Sequence, residues 1–321
     1  MTTPVLTVTL NPAIDQTITL DALRPGHVHR AKAVRHNAGG KGVNVASCLA
    51  DWGVPVIAGG LLGAANAAPF EALFAAKGIA DGFVRLSGET RTNIKIADLA
   101  GADTTDINLP GLSADAAALE RVRQSLRDLV EPGALVLLAG SLPDGLPADS
   151  YATLSADLAA LGARTVLDSS GAPLAAALAV TDGTLPYCVK PNRHELEDWA
   201  GKPLPGLPDV LAAARDLNRR GVGVVVVSLG AEGALFVSGD RAVRGRLPAV
   251  NPLSTVGAGD AMVAGLIAAF RRDCPLEEVA RLSIAFAVAK LGQFGPNLPE
   301  ADTVRALAAQ VTLTDLAPTD L

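Results

Sequence analysis

The sequence is poor in the residues that would tie it covalently or carry it through a membrane. Its three cysteines, Cys48, Cys188 and Cys274, lie far apart with no C-x-x-C pair. That speaks against a disulfide framework and a cysteine-rich zinc site, and it fits a reducing compartment. No apolar run approaches the roughly 20 residues needed to span a bilayer. No basic patch followed by an apolar core opens the chain, so no signal peptide is expected. Basic charge is also short: 27 Lys and Arg stand against 33 Asp and Glu, a net charge of −6. Nucleic-acid binding would call for a basic stripe instead. The four histidines, His27, His29, His36 and His194, are scattered and read as surface residues. Several catalytic signatures are missing too. There is no G-x-x-x-x-G-K-[ST], no G-x-G-x-x-G after a strand, no H-E-x-x-H and no G-x-S-x-G. Those absences speak against P-loop NTPases, nicotinamide dehydrogenases, metalloproteases and α/β-hydrolases. A soluble cytoplasmic protein, with no nucleic acid or membrane as partner, is the expectation that remains.

What is there is a globular core. The 321 residues are 49% hydrophobic and 19% charged, which suits one large α/β domain covering 1–321. Short apolar runs read as buried strands: Leu135 to Ala139, Thr165 to Leu167, Cys188 to Lys190, Val222 to Ser228 and Leu235 to Val237. Between them, Ala114 to Val130, Asp149 to Leu161 and Asp209 to Arg220 have helical spacing. Strands apolar on both faces and separated by helices predict a mainly parallel sheet covered on both sides. The first 110 residues differ. Val5 to Leu10, Gln16 to Leu20, Val28 to Val34 and Thr92 to Ala97 read as strands, several of them alternating apolar and polar side chains. A strand of that kind has one wet face. Segments from about 16–35 and 90–110 are therefore expected to form a small β layer beside the main sheet.

Six segments can carry chemistry. In Ser254-Thr255-Val256-Gly257-Ala258-Gly259-Asp260, a glycine loop runs into an apolar helix. The amides of a helix N-terminus suit an anion, which makes Asp260 an odd neighbour unless it accepts a proton from a substrate hydroxyl. The plainer reading makes Asp260 part of the helix cap. In Gly39-Gly40-Lys41-Gly42-Val43-Asn44, three glycines precede a helix expected near Val43. Here Lys41 and Asn44 either face a ligand or lie in solvent. Asp15, just past the first strand, can bond two sugar hydroxyls or be a turn residue. On Arg91-Thr92-Asn93-Ile94-Lys95, alternation puts Arg91, Asn93 and Lys95 on one face, as a phosphate grip or as a solvated surface. Asn192 and Glu195 stand three apart at a helix start. They can hold Mg²⁺ through its waters, form a capping box, or both. Ser228-Leu229-Gly230-Ala231-Glu232-Gly233 closes a buried strand as a nucleotide bed or a plain turn.

In their order along the chain these segments resemble the phosphofructokinase B branch of the ribokinase-like carbohydrate kinases. The matching segments are residues 9–15, 39–46, 190–196, 228–234 and 254–260, so the resemblance spans nearly the whole chain. Thr-Arg-Thr-Asn-Ile-Lys (90–95), Gly-Ser-Leu-Pro (140–143), Leu-Asp-Ser-Ser-Gly (167–171) and residues 195–201 point to the bacterial fructose 1-phosphate kinases within that branch. The resemblance implies a three-layer αβα sandwich with a small β-sheet lid, and ATP-dependent phosphorylation of fructose 1-phosphate to fructose 1,6-bisphosphate. It implies Asp260 as general base and an anion hole at Gly257, Ala258 and Gly259. Asp15, Gly39, Gly40 and Asn44 would hold sugar hydroxyls. Lys41, Arg91, Asn93, Lys95 and Ser141 would hold the sugar's own phosphate. Lys190, Asn192, Ser228, Gly230, Gly233, Thr255, Gly257 and Gly259 would line the ATP cleft, with Asn192 and Glu195 organising Mg²⁺. A homodimer through the lid is the implied assembly. Asp144 and Ala261 depart mildly from the family pattern. Alternatives are a tagatose 6-phosphate or fructose 6-phosphate kinase of the same branch, or a non-catalytic sugar- or nucleotide-binding regulator.

Overall fold

Buried apolar strands need helices on both faces, and the chain supplies them by alternation. The computed structural model describes residues 3–101, 103–181, 184–248, 256–293 and 295–316. Its first part runs β1 (Val5–Thr9), β2 (Ala13–Leu20), β3 (Ala33–Gly39), α1 (Lys41–Asp51), β4 (Val56–Gly63), α2 (Ala68–Lys77), β5 (Ala80–Leu86), β6 (Arg91–Asp98) and β7 (Asp103–Ile107). The middle follows as α3 (Ala116–Leu129), β8 (Leu135–Ala139), α4 (Ser150–Ala160), β9 (Arg164–Asp168), α5 (Gly171–Leu178), β10 (Cys188–Val189), α6 (Arg193–Ala200) and α7 (Leu207–Arg219). The last part is β11 (Val224–Ser228), β12 (Ala234–Ser238), β13 (Arg241–Arg246), α8 (Ala258–Phe270), α9 (Leu276–Leu291), α10 (Ala301–Gln310) and β14 (Thr312–Asp315).

Among the described residues two sheets form. The larger has the order β14-β13-β12-β11-β10-β9-β8-β1-β4-β5. It is parallel from β11 through β10, β9, β8, β1 and β4 to β5. From β11 to β14 it is antiparallel. Alternate side chains of one strand enter two different cores. Leu135, Leu137 and Ala139 pack with α1, α2, α8 and α9, while Val136 and Leu138 pack with α3, α4, α5 and α7. This is the three-layer α/β sandwich that the strand and helix pattern predicts. The smaller sheet has the order β3-β2-β6-β7. β2 pairs antiparallel with β3 and parallel with β6, and β6 pairs antiparallel with β7.

Two local expectations need correction. The strand expected over Val28 to Val34 begins at Ala33 and runs on to Gly39. β2 offers partners from Thr19 back to Ala13, so residues before Ala33 have no ladder, and Val28 stands 97% exposed. The helix expected near Val43 starts at Lys41, because Gly40, at φ +109, turns the chain directly out of β3. β4, β5, β13 and β14 were not legible from the apolar runs; β4 carries three glycines, and β14 is mostly exposed.

Helix α8 runs through the core with no exposed face after its first turn. Its tightest crossing is with α9 at Gly265, where an added Cβ would stand 2.6 Å from Ser283 Cα and 2.9 Å from Leu282 O. Both obstacles are backbone. Gly265→Ala is therefore expected to destabilise the protein by about 1–2 kcal/mol net, even though alanine favours a helix interior by about 1 kcal/mol. Thermal unfolding measures it; a variant as stable as the parent would mean that α9 yields freely.

Candidate active site

The order of the large sheet reverses at β1, which has β8 on one side and β4 on the other. Ligands of open α/β sheets collect beyond the strand ends at such a point. Beyond β1 the chain leaves the large sheet to build β2 and β3, then returns through α1. Glycine makes the return possible. A side chain on Gly39 would meet Asp15 Oδ2 at 2.8 Å, and one on Gly60 would meet Thr9 O at 2.0 Å.

Two helix N-termini meet here, α1 capped by Gly40 and α8 capped by Gly257. Gly257 is left-handed, at φ +81. Ala258, Gly259 and Asp260 form the first turn of α8, whose amides have no partner within the helix. Asp260 Oδ2 accepts a 2.7 Å hydrogen bond from Asn44 Nδ2 on α1. Burial, with help from the nearby Asp168 charge, pushes the Asp260 carboxyl up to about 6, against the pull of Asn44, Lys41 and Lys190.

Asp168 ends β9 and is almost completely buried. It lies between two ammonium groups, Lys41 Nζ at 3.1 Å and Lys190 Nζ at 3.3 Å. Burial alone would raise its carboxyl, but Lys190 and Lys41 outweigh burial and hold it below the ordinary carboxylate range. Burial by itself would lower Lys41; Asp168 and then Asp260 reverse this and hold it above the usual ammonium value. Lys190 Nζ in turn lies 3.9 Å from where a Cβ on Gly259 would stand. Two carboxylates, two ammonium groups and the first turn of α8 thus form one cluster.

A second group gathers on the small sheet. Asp15 stands opposite Asn93 in the β2–β6 register, and Lys95 Nζ lies 4.0 Å from Asp15 Oδ1 and 3.3 Å from Asp106 Oδ1. Burial raises the Asp15 carboxyl against Lys95 and Asn93. Asn93 Oδ1 also accepts from the Leu109 amide at 3.3 Å. The Arg91 guanidinium donates to the carbonyls of Pro12, Leu109 and Asn11. Ser141 Oγ accepts from Asn11 Nδ2 at 3.1 Å. A cavity of about 190 Å³ is lined by Asp15, Asn37 and Lys95 of the small sheet together with Asn44, the partner of Asp260, and Gly257 and Lys290.

Some expected residues sit differently. Lys41 is grouped with Asp168 and Lys190, whereas Arg91, Asn93 and Lys95 gather around Asp15. Asn192 and Glu195 form a reciprocal capping box: Asn192 Oδ1 accepts from the Glu195 amide at 2.9 Å, and Glu195 Oε2 accepts from the Asn192 amide at 2.8 Å. Ser228 bridges to Asn192, and Gly230 starts a single 3₁₀ turn, Gly230–Glu232, that leads to β12. Gly233 is required for packing, since a Cβ there would meet Gly245 O at 2.0 Å. Thr255 lies outside the described residues. Asp168 and Asn11 lie within matched segments, 167–171 and 9–15, without a role that local pattern would assign, and nothing around Lys290 marks it in the sequence. The available signal for Asp168 was a carboxylate placed directly after the apolar pair Val166-Leu167 at a strand end.

Among the described residues no three His, Cys, Asp or Glu side chains gather where they would hold a metal ion, and no helix is long and apolar enough to cross a membrane. The profile of the pfkB family carbohydrate kinases matches residues 8–303. A 1-phosphofructokinase of Xanthomonas campestris pv. campestris is 53% identical over 314 residues, 98% of this chain and 99% of its own length. One from Rhodobacter capsulatus is 49% identical, covering 99% of this chain and 100% of its own. The crystal structure of phosphofructokinase-2 from Escherichia coli in complex with substrates and products superposes with a TM-score of 0.89 at 30% identity. That superposition covers 96% of this chain and 99% of the other. Agreement of this extent, in sequence and in fold, settles the classification: the chain belongs to the pfkB family of carbohydrate kinases.

Proposed function

We propose that the protein transfers the γ-phosphoryl group of ATP to fructose 1-phosphate, giving fructose 1,6-bisphosphate and ADP. Its substrate follows from full-length relatives of that activity at up to 53% identity. The observation that carries the reaction type is Asp260. It is a buried carboxylate in the first turn of a helix whose N-cap, Gly257, lines the cavity, and it is held at 2.7 Å by Asn44, which lines the cavity too. In this reading Asp260 takes the proton from the attacking sugar hydroxyl. The hydroxyl oxygen bonds to the γ-phosphorus as the bond to the ADP oxygen breaks, and the amides at Gly257, Ala258 and Gly259 stabilise the charge on the transferring group.

Lys41 and Lys190, fixed by Asp168, serve that same group. Arg91, Asn93, Lys95 and Ser141 hold the phosphate already on the sugar, while Asp15, Gly39, Gly40 and Asn44 face its hydroxyls. Ser228, Gly230 and Gly233 border the adenosine side. For Mg²⁺, one carboxylate and one amide at Glu195 and Asn192 fit an ion that keeps most of its water and takes phosphate oxygens for the rest. When bound, the ion neutralises phosphate charge. The small sheet acts as a lid that keeps water from the phosphoryl group. Its surroundings expose Val28, Val34, Leu99, Ile107 and Leu109, apolar area that a second copy of the chain would cover in a cytoplasmic homodimer.

An ADP-release assay with MgATP and equal subsaturating fructose 1-phosphate, fructose 6-phosphate and tagatose 6-phosphate tests the substrate. Fructose 1-phosphate is expected to turn over best; a clear preference for either other sugar would reassign the substrate, and no turnover at all would overturn the kinase reading. Asp260→Asn is expected to bind both substrates and lose most turnover. It should also melt higher than the parent near pH 8, because a carboxyl raised from 3.8 to about 6 by folding costs stability as pH rises between those values and carries the full cost above about 6. Persisting turnover would refute the assigned base. Ionised Asp260 is the active form, so kcat/KM is expected to rise with pH through about 6. Asp168→Asn removes a charge that raises Asp260 and leaves two ammonium groups that lower it, so its acid limb should move to lower pH. Substrate phosphates titrate in the same range, which makes the difference between the two enzymes the measurement; a limb that stays or moves up contradicts the coupling.

A further inference from the structure

One buried cation that lines the cavity has been given no role in the reaction. Lys290 lies in the last turn of α9 and is 2% exposed. Its ammonium donates to Gln293 O at 3.0 Å. Its Cε lies 3.4 Å from where a Cβ on Gly257 would stand, and it lines the cavity together with Gly257, Asn44 and Asp15. Gly257 is glycine for its left-handed backbone; the lysine stem lies beside it at a distance that a Cβ would meet as an ordinary contact.

A buried ammonium is unfavourable unless something answers its charge. The carbonyl end of α9 answers part of it. Asp168 is engaged by Lys41 and Lys190. Burial lowers the Lys290 ammonium below its usual value, with Cys48 and then Asp260 opposing. The Cys48 thiol is itself pushed up to about 12 by burial, so it is no counter-ion at neutral pH. The positive end of α8 faces the same cavity. Two positive sources converge there, an arrangement that an anion entering the cavity relieves.

We propose that Lys290 is a positioning residue for phosphoryl transfer: its stem lies beside the Gly257 turn that leads into α8, and its ammonium, anchored on Gln293 O, adds a fixed positive charge to the cavity that Gly257 lines. The inference rests on reading α8's first turn and Asp260 as the transfer site. Lys290→Met keeps most of the stem and removes the charge. It is expected to lower kcat on the order of 10- to 100-fold, with KM for phosphosugar and for MgATP little changed and the melting temperature maintained. Lys290→Ala should lose at least as much and recover part of its turnover when methylammonium is added, while the parent enzyme gains nothing from the amine. Wild-type kcat in Lys290→Met overturns the proposal. So does a loss that merely tracks a lowered melting temperature and gains nothing from methylammonium, which would mark Lys290 as a packing residue. Asp260→Asn measured alongside separates the two levels. If it is inactive while Lys290→Met is normal, only the lysine's role falls; if it stays active, the transfer-site reading falls and takes this inference with it.

Discussion

The site depends on the ion cluster around Asp168. A carboxylate at the buried end of a strand carries a desolvation cost that only close opposite charge can offset. Lys41, the first residue of α1, and Lys190, just past β10, supply that charge from two separate parts of the chain. Asp168 thereby fixes where α1 begins relative to β9 and β10. The same cluster divides the two carboxylates. Asp168 touches both ammonium groups and is held ionised, whereas Asp260 has the neutral Asn44 as its hydrogen-bond partner and is pushed up to about 6. Carboxylates whose environments drive their pKa values apart can take different roles, here a structural anion and a proposed base.

Topology brings these residues together at little local cost. β1 is where the sheet order reverses, so the ends of β1, β8 and β9 leave a crevice open. Two helices start at that crevice. The excursion between β1 and α1 supplies both the wall that carries Asp15 and, through Gly39 and Gly40, the turn that returns the chain beneath it. The close approaches at Gly39 and Gly60 are side-chain-free for that reason.

The legible part of the fold was the part with strong periodicity. β8, β10, β11 and β12 are almost wholly apolar runs, β9 has an apolar centre, and α3, α4 and α7 have clear helical stripes. β4 was hidden by its glycines and β14 by its exposure, since neither presents an apolar run. Val28 to Val34 misled because β propensity is local, whereas a strand needs a partner, and β2 pairs only with residues from Ala33 onward. At the site, glycine loops and the Arg91-Asn93-Lys95 alternation were readable because they are short-range patterns. The grouping of Lys41 with Asp168 was not. Its partners lie 127 positions apart in sequence, and nothing around either residue marks the pairing. Lys290 was equally silent, as its neighbour Gly257 lies in another helix turn, and a lysine at a helix end reads as ordinary dipole compensation.

The two cation groups answer a problem that this reaction sets. The acceptor sugar brings one phosphate and leaves with two, so the site must hold an existing dianion and a new one without binding both through the same residues. Around Asp15 the cations are Arg91 and Lys95, the latter shared with the carboxylates of Asp15 and Asp106. Around Asp260 the two carboxylates cancel Lys41 and Lys190, leaving the inner cluster neutral while Asp260 is ionised. When the proposed base accepts the substrate's proton, that cluster gains one positive charge at the moment the phosphoryl group reaches the sugar. The proton need not leave the crevice to be useful: held on Asp260, it removes the one negative charge that would face the newly bound phosphate, and a carboxyl pushed up to about 6 by burial is well suited to keep it there briefly and then release it.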